Sequence, residues 1–188
     1  MTETSWYEVV TGASLMQGDI LFDCPVTVIT GPWKFPFDAT ETAFETLQVN
    51  VIVITQSCDL EHSRTKFVLL APVTDWALTA RREYQAGNTA VRSRDFRRKL
   101  IEGAIPGPSL LHKHDGPPPL DWSVVNFHRL CTLPRDFLTQ YAASVGPRLR
   151  LRSPYREHLA QGFARYFMRV GLPHDAMAFE KEGEVAVA

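Results

Sequence analysis

The sequence predicts an α+β fold: a mainly antiparallel, curved sheet elaborated by short helices and covered by a packed C-terminal helix. Three observations predict it. Residues 49–55 (VNVIVIT) and 67–73 (FVLLAPV) are short runs, apolar on both parities, as expected of strands buried on both faces. From Trp76 onward the pattern changes from β-branched to helical. Near the C-terminus, Tyr155, Leu159, Phe163, Phe167 and Val170 recur at the spacing of one helical stripe.

Taken in order, residues 1–17 mix polar and apolar side chains and predict no clear element. Gly18-Asp19 precedes Ile20-Leu21-Phe22, a first strand bounded by Asp23 and Pro25. Residues 26–30 (VTVIT) form a second, which Gly31-Pro32 stops. Residues 33–46 mix aromatic and acidic side chains and are not placed. The 49–55 run is the central strand, and it pairs antiparallel with 67–73 across a polar loop that contains Gln56, Ser57, Cys58 and Asp59. A helix containing Trp76, Leu78, Ala80 and Tyr84 stops at Gly87. A second is capped by Ser93, carries Phe96, Leu100 and Ile101, and stops at Gly103. Pro106, Pro108 and the run Pro117-Pro118-Pro119 mark a connector with a brief strand at 109–112. Strands follow at 123–127 and 129–133, then a helix from Asp136 toward Gly146. Arg148-Leu149-Arg150-Leu151-Arg152 alternates with the period of a strand that has one wet face. The last helix is capped by Ser153, has Pro154 in its first turn, and ends at Gly171 and Pro173.

The chain has 188 residues, 45% of them hydrophobic and 22% charged, which suits one globular core and excludes wholesale disorder, collagen and coiled coil. Residues 1–174 are expected to form a single domain and 175–188 a flexible tail. The net charge of −1 conceals strong polarity. Residues 1–63 carry one basic and nine acidic groups, net −8; residues 64–174 carry 18 and eight, net +10; the tail carries one and four, net −3. Such a basic middle either contacts an anionic partner or clamps the acidic first third. Three cysteines and no secretory leader point to a reducing cytoplasm. The longest apolar runs fall far short of the ~20 residues that span a bilayer.

The order Gly18-Asp19-Ile20, a long loop, residues 51–55 and residues 67–73 resembles the SH3-like barrel of PemK/MazF-type toxins over roughly the first 75 residues. In that family a hydrophobic strand ends in Ser or Thr near the ribonuclease site, so the resemblance implies an SH3-like barrel here and a site role for Thr55. The chain departs from the pattern where the family's arginine and the following proline would fall, at Val49 and Asn50, and its long C-terminal part has no counterpart in the small toxin.

The candidate chemistry is dispersed. Cys58 follows a buried strand and would be a nucleophile if His62, His128 or His158 activated it and Asp59 oriented the imidazole; the alternative is a small structural cysteine. Cys58-x3-His62 with His128-x2-Cys131 offers the softness and number of a zinc site, but it lacks a paired-cysteine knuckle and is split by 65 residues, so no metal or cofactor is expected. His112, His114 and Asp115 share a Pro/Gly-bounded loop, where solvation accounts for them equally well. Arg148, Arg150, Arg152 and Arg156, followed by Arg165 and Arg169, form the best binding feature, with Tyr155 and Tyr166 available for stacking. Phosphate-loop, dinucleotide-fingerprint and zinc-protease patterns are absent from the sequence. The expected function is therefore a cytoplasmic, noncatalytic binding protein of a prokaryotic toxin-like or defence-like system, recognising RNA, DNA or an acidic protein through its arginine-rich face. The alternative is a diverged ribonuclease or cysteine-dependent hydrolase using Thr55, Cys58, Asp59 and His62.

Overall fold

A computed structural model describes residues 5–31, 35, 43–62 and 64–168. Its strands are β1 (Tyr7–Val10), β2 (Asp19–Thr30), β3 (Ala43–Val53), β4 (Phe67–Asp75), β5 (Pro108–Leu111), β6 (Ser123–Asn126), β7 (Cys131–Pro134) and β8 (Arg148–Leu151). Its helices are α1 (Ser57–Glu61), α2 (Trp76–Gln85), α3 (Arg94–Ile101), α4 (Arg135–Ser144) and α5 (Tyr155–Phe167), and a 3-10 turn at Thr89–Arg92 joins α2 to α3. The strands form one antiparallel sheet in the order β1-β8-β2-β3-β4-β6-β5, with β7 also pairing β4.

The expected central pair is present. Val51 lies opposite Pro72, Ile52 opposite Ala71 and Val53 opposite Leu70. Their two parities serve two cores. Ile20, Ile52, Ala71, Val73, Val125, Leu149 and Leu151 face one side, where Leu159 of α5 joins them. Leu21, Val51, Val53, Val68 and Leu70 face the other, where Leu60 of α1 and Leu138 and Ala142 of α4 join them. Helices therefore cover both faces, which explains why these strands read as continuous apolar runs rather than alternating ones. Each fully buried Leu or Ile contributes about 1.5–3 kcal/mol of transfer free energy.

Several expectations are corrected. The two strands expected at 20–22 and 26–30 are one twelve-residue strand. The chain passes Asp23 and Pro25 through an irregularity between Leu21 and Cys24, with Asp23 at φ 49° and its amide donating to Asn50 Oδ1 at 2.9 Å. β3 begins at Ala43, inside the segment left unplaced; residues 33, 34 and 36–42 lie outside the described residues, as does Ser63. The polar loop after β3 contains the short helix α1, and residues 7–10 form a strand that their mixed polarity concealed. β8 has no wet face: Arg148, Leu149 and Leu151 are all buried and Arg150 nearly so. Helix α5 starts at Tyr155 after Pro154, without a side-chain cap from Ser153. Its core-facing stripe is the buried Leu159 with the partly buried Tyr155, Phe163 and Tyr166, because four-residue steps drift around a 3.6-residue helix; Phe167 is 56% exposed. Val170, Gly171, Pro173 and the expected tail at 175–188 lie outside the described residues.

Backbone pairing does not close the sheet among the described residues. Its two terminal strands nevertheless meet through side chains. Tyr7 Oη on β1 donates to His112 O, just past β5, at 2.6 Å, and the Tyr7 ring packs edge-on to His114 at 5.8 Å. Burial pushes the Tyr7 hydroxyl well above its ordinary pKa, so it stays a neutral donor. No described helix is long and apolar enough to cross a membrane.

Candidate functional site

The arginine strand turns inward. Arg148 is 1% exposed and Asp19 is fully buried. Arg148 Nε donates to Asp19 Oδ2 at 2.9 Å, its second nitrogen to Gly12 O at 2.8 Å, and its third to Ser14 O. Arg150 donates through Nε to Asp19 Oδ1, and through a terminal nitrogen to Asp19 Oδ2 at 2.9 Å and Ser14 O at 3.0 Å. The Asp19 hydrogen bonds raise the Arg150 pKa further, with Glu8, its cross-strand neighbour, adding to the effect. These two guanidiniums clamp residues 11–19 to β8 and do not line an external face. Arg152 is exposed at the strand end, while Arg156 is half-buried and paired with Glu157 at 3.1 Å. Arg169 lies outside the described residues.

The residues singled out for catalysis sit around α1. Thr55 Oγ1 accepts the Leu69 amide at 2.7 Å, extending the β3–β4 ladder by a side chain. Cys58 is exposed, with Gln56 Oε1 at 3.7 Å and Asp59 Oδ1 at 4.0 Å as its thiol's hydrogen-bond partners; no histidine nitrogen lies in that range among the described residues. His62 is exposed at the end of α1. His128 is held elsewhere, its Nδ1 2.9 Å from Tyr166 Oη. Cys131 packs beside the α4-side core, which also contains Cys24. Among the described residues no three His, Cys, Asp or Glu side chains gather as a metal site. In the His112–Asp115 loop, His112 Nδ1 binds Lys113 O at 2.8 Å and Lys113 Nζ reaches the Asp115 carboxylate at 3.2 and 3.3 Å.

Two other features stand apart from these residues. The first is the α2–α3 pair, which has seven basic and three acidic side chains between Trp76 and Glu102. Ser93 Oγ accepts the Phe96 amide at 3.0 Å and Asp75 Oδ1 accepts the Leu78 amide at 2.7 Å, fixing both helix starts. Asp95 neutralises Arg98 and Lys99, Arg97 donates to Arg92 O, and Arg92 lies 5.0 Å over the Tyr84 ring. Arg81, Arg82 and Arg94 are exposed and have no hydrogen-bond, ion-pair or ring partner among the described residues.

The second is a cleft of about 870 Å³ that begins where α3 ends. Residues 100–104 and the 105–112 segment form one wall, and α5 forms another with His158, Gln161 and Arg165. At its base runs a row of rings. Tyr155 stacks on Trp6 at 4.0 Å, Trp6 lies 5.5 Å from His112, and His112 lies 4.3 Å from Trp122. Each ring follows or precedes a strand end or opens a helix. The Arg152 amide donates to Trp6 O at 2.9 Å, fixing Trp6 beside Tyr155, and Leu111 opposite Ser123 brings His112 beside Trp122. Trp6 and Trp122 were missed in the sequence because they lie 116 residues apart and neither continues an apolar period. The available signal was local: Trp122 stands between Asp121 and Ser123, a large ring flanked by polar side chains.

Comparison with protein-family models, curated proteins and solved structures finds no match to this chain.

Proposed function

We propose that this protein is a noncatalytic nucleic-acid-binding protein whose phosphate-contacting surface is the α2–α3 pair. The observation that carries the reading is the set of exposed guanidiniums on Arg81, Arg82 and Arg94 that no described carboxylate neutralises. Guanidinium groups suit bidentate phosphate contacts, and their use releases condensed counterions. This reading assigns the basic face to two helices instead of the arginine strand, and the pairing of Arg148 and Arg150 with Asp19 supports it. The resemblance of the N-terminal region to PemK/MazF-type toxins supports an intracellular toxin-like or defence-like setting. The seam from Tyr7 to His112 supports an opened, elaborated SH3-like barrel.

The test is fluorescence anisotropy with labelled RNA and DNA, titrated from about 50 to about 200 mM salt. Binding that weakens steeply with salt is expected. The triple variant Arg81→Ala, Arg82→Ala, Arg94→Ala should reduce the log–log salt slope by about 2 on a single strand, at roughly 0.7 per phosphate contact. Absence of salt-dependent binding, or an unchanged slope in the triple variant, overturns the proposal.

A further inference from the structure

The aromatic cleft adjoins the end of α3 but takes in none of Arg81, Arg82 and Arg94, and it has its own chemistry. Its volume of about 870 Å³ falls in the range of ~300–1,000 Å³ typical of small-molecule sites. It combines a largely apolar, ring-lined base with a few polar groups on α5. Trp122 is 40% exposed, so one large ring remains open to stacking. Arg165 is exposed on the cleft wall and has no partner among the described residues. His112 adds a directional acceptor. Its Nδ1 faces the Lys113 carbonyl, which can only accept, so Nδ1 is the donor of that contact and Nε2 is left for a ligand. Nε2 has no hydrogen-bond partner among the described residues.

We propose that this cleft is a binding site for a nucleoside monophosphate: the base stacks on the open Trp122 ring, His112 Nε2 accepts a base N–H, and Arg165 holds the phosphate. A planar ring suits the open Trp122 face, and a single anion suits Arg165, the one arginine or lysine among the described residues that line the cleft. A free nucleotide and the terminal nucleotide of a strand share this chemistry; the free nucleotide is the occupant proposed. The site extends the nucleic-acid reading but does not require it, because none of Arg81, Arg82 and Arg94 lines the cleft.

The experiment is quenching of intrinsic tryptophan fluorescence by the four common nucleoside monophosphates, by the matching nucleosides, and by a 5′-phosphorylated oligonucleotide of about 12 nucleotides. Saturable quenching by at least one monophosphate is expected. Trp122→Ala should weaken that binding roughly tenfold, read by calorimetry with the circular-dichroism spectrum unchanged. Arg165→Ala should weaken monophosphate binding roughly tenfold while leaving the nucleoside unaffected, which separates the phosphate contact from the ring contact. The Arg81/Arg82/Arg94 triple variant should bind the monophosphate normally, so failure of the phosphate-surface reading and failure of this one are separately visible. Quenching by the oligonucleotide alone overturns the free-nucleotide assignment. Absence of quenching by any monophosphate, or affinities unchanged in both Trp122→Ala and Arg165→Ala, overturns the site.

Discussion

Asp19 is the residue whose loss this fold should tolerate least. Its carboxylate accepts from the Met16 amide at 3.2 Å, from Arg148 Nε at 2.9 Å and from two Arg150 nitrogens, all in a region where Asp19 and Arg148 are essentially inaccessible. Asp19→Asn keeps the shape but removes the charge, and it turns an amide donor toward guanidinium donors. Breaking a buried ion pair by neutralising one partner costs about 3–5 kcal/mol, since the remaining cation is left desolvated. Against a global stability of about 5–15 kcal/mol this is a large fraction, and it corresponds to a drop in Tm of about 6–20 °C for a chain of this size. Guanidinium-chloride unfolding at constant m-value measures it directly. Arg148→Met should cost a similar amount and should also speed hydrogen exchange at Met16 and Gln17, because Arg148 holds the Gly12 and Ser14 carbonyls of the same loop. The double variant Asp19→Asn, Arg148→Met should cost less than the sum of the singles, since the two residues share one network. A change of under about 1 kcal/mol in Asp19→Asn would refute the view that this cluster pins residues 11–19 to β8.

Two further outcomes follow from the geometry. Gly107 has φ +103°, and a Cβ there would lie 2.1 Å from His128 Nε2; Gly107→Ala should therefore cost about 1–3 kcal/mol from backbone strain and displace His128 from Tyr166. Adding His128→Ala should recover only the part due to the clash, as urea unfolding of the single and double variants will report. Burial, with Cys131 contributing, pushes the Cys24 thiol from 9.0 up to about 11. A folded-state pKa raised above the unfolded value stabilises fully below pH 9.0 and is lost as pH rises toward about 11. Unfolding midpoints should fall across that window in the wild type and more shallowly in Cys24→Ala; parallel declines would show that this thiol does not govern alkaline stability.

The β3–β4 pair, the capped helices α2 and α3, and the helical nature of α5 were legible because each rests on local rules: β-branched runs, a serine cap, a four-residue apolar spacing. What escaped depended on tertiary placement. Alternating arginine and leucine in β8 reads as a strand with one wet face, yet Asp19, 129 residues away, supplies an internal partner that makes burial of Arg148 affordable. Pro25 reads as a strand end, yet the Asn50 side chain and the left-handed Asp23 carry β2 past it. Of the residues proposed for catalysis, Thr55 could be located at the end of the central strand, but its hydroxyl's commitment to the Leu69 amide requires the register of β4. The ring-lined cleft was invisible for the same reason: Trp6, His112, Trp122 and Tyr155 are neighbours only once the sheet has curled.

That curl links the core to both proposed surfaces. Helices on the two faces bury the apolar parities of β2, β3, β4 and β8, while at the ends of the sheet Trp6 and Tyr155 are only partly buried and Trp122 is exposed. Right-handed strand twist brings those ends around toward each other. Here they meet through the Tyr7 hydroxyl and the His112 carbonyl instead of a backbone ladder. A closed ladder would place paired strands along the seam, whereas this seam leaves residues at the strand termini free to point outward. The aromatic row occupies those termini, and the end of α3 borders the same cleft, so the proposed ring-binding surface lies beside the proposed phosphate-binding one. An incompletely closed sheet thus leaves to the proposed binding site side chains that a sealed barrel would use in its own closure.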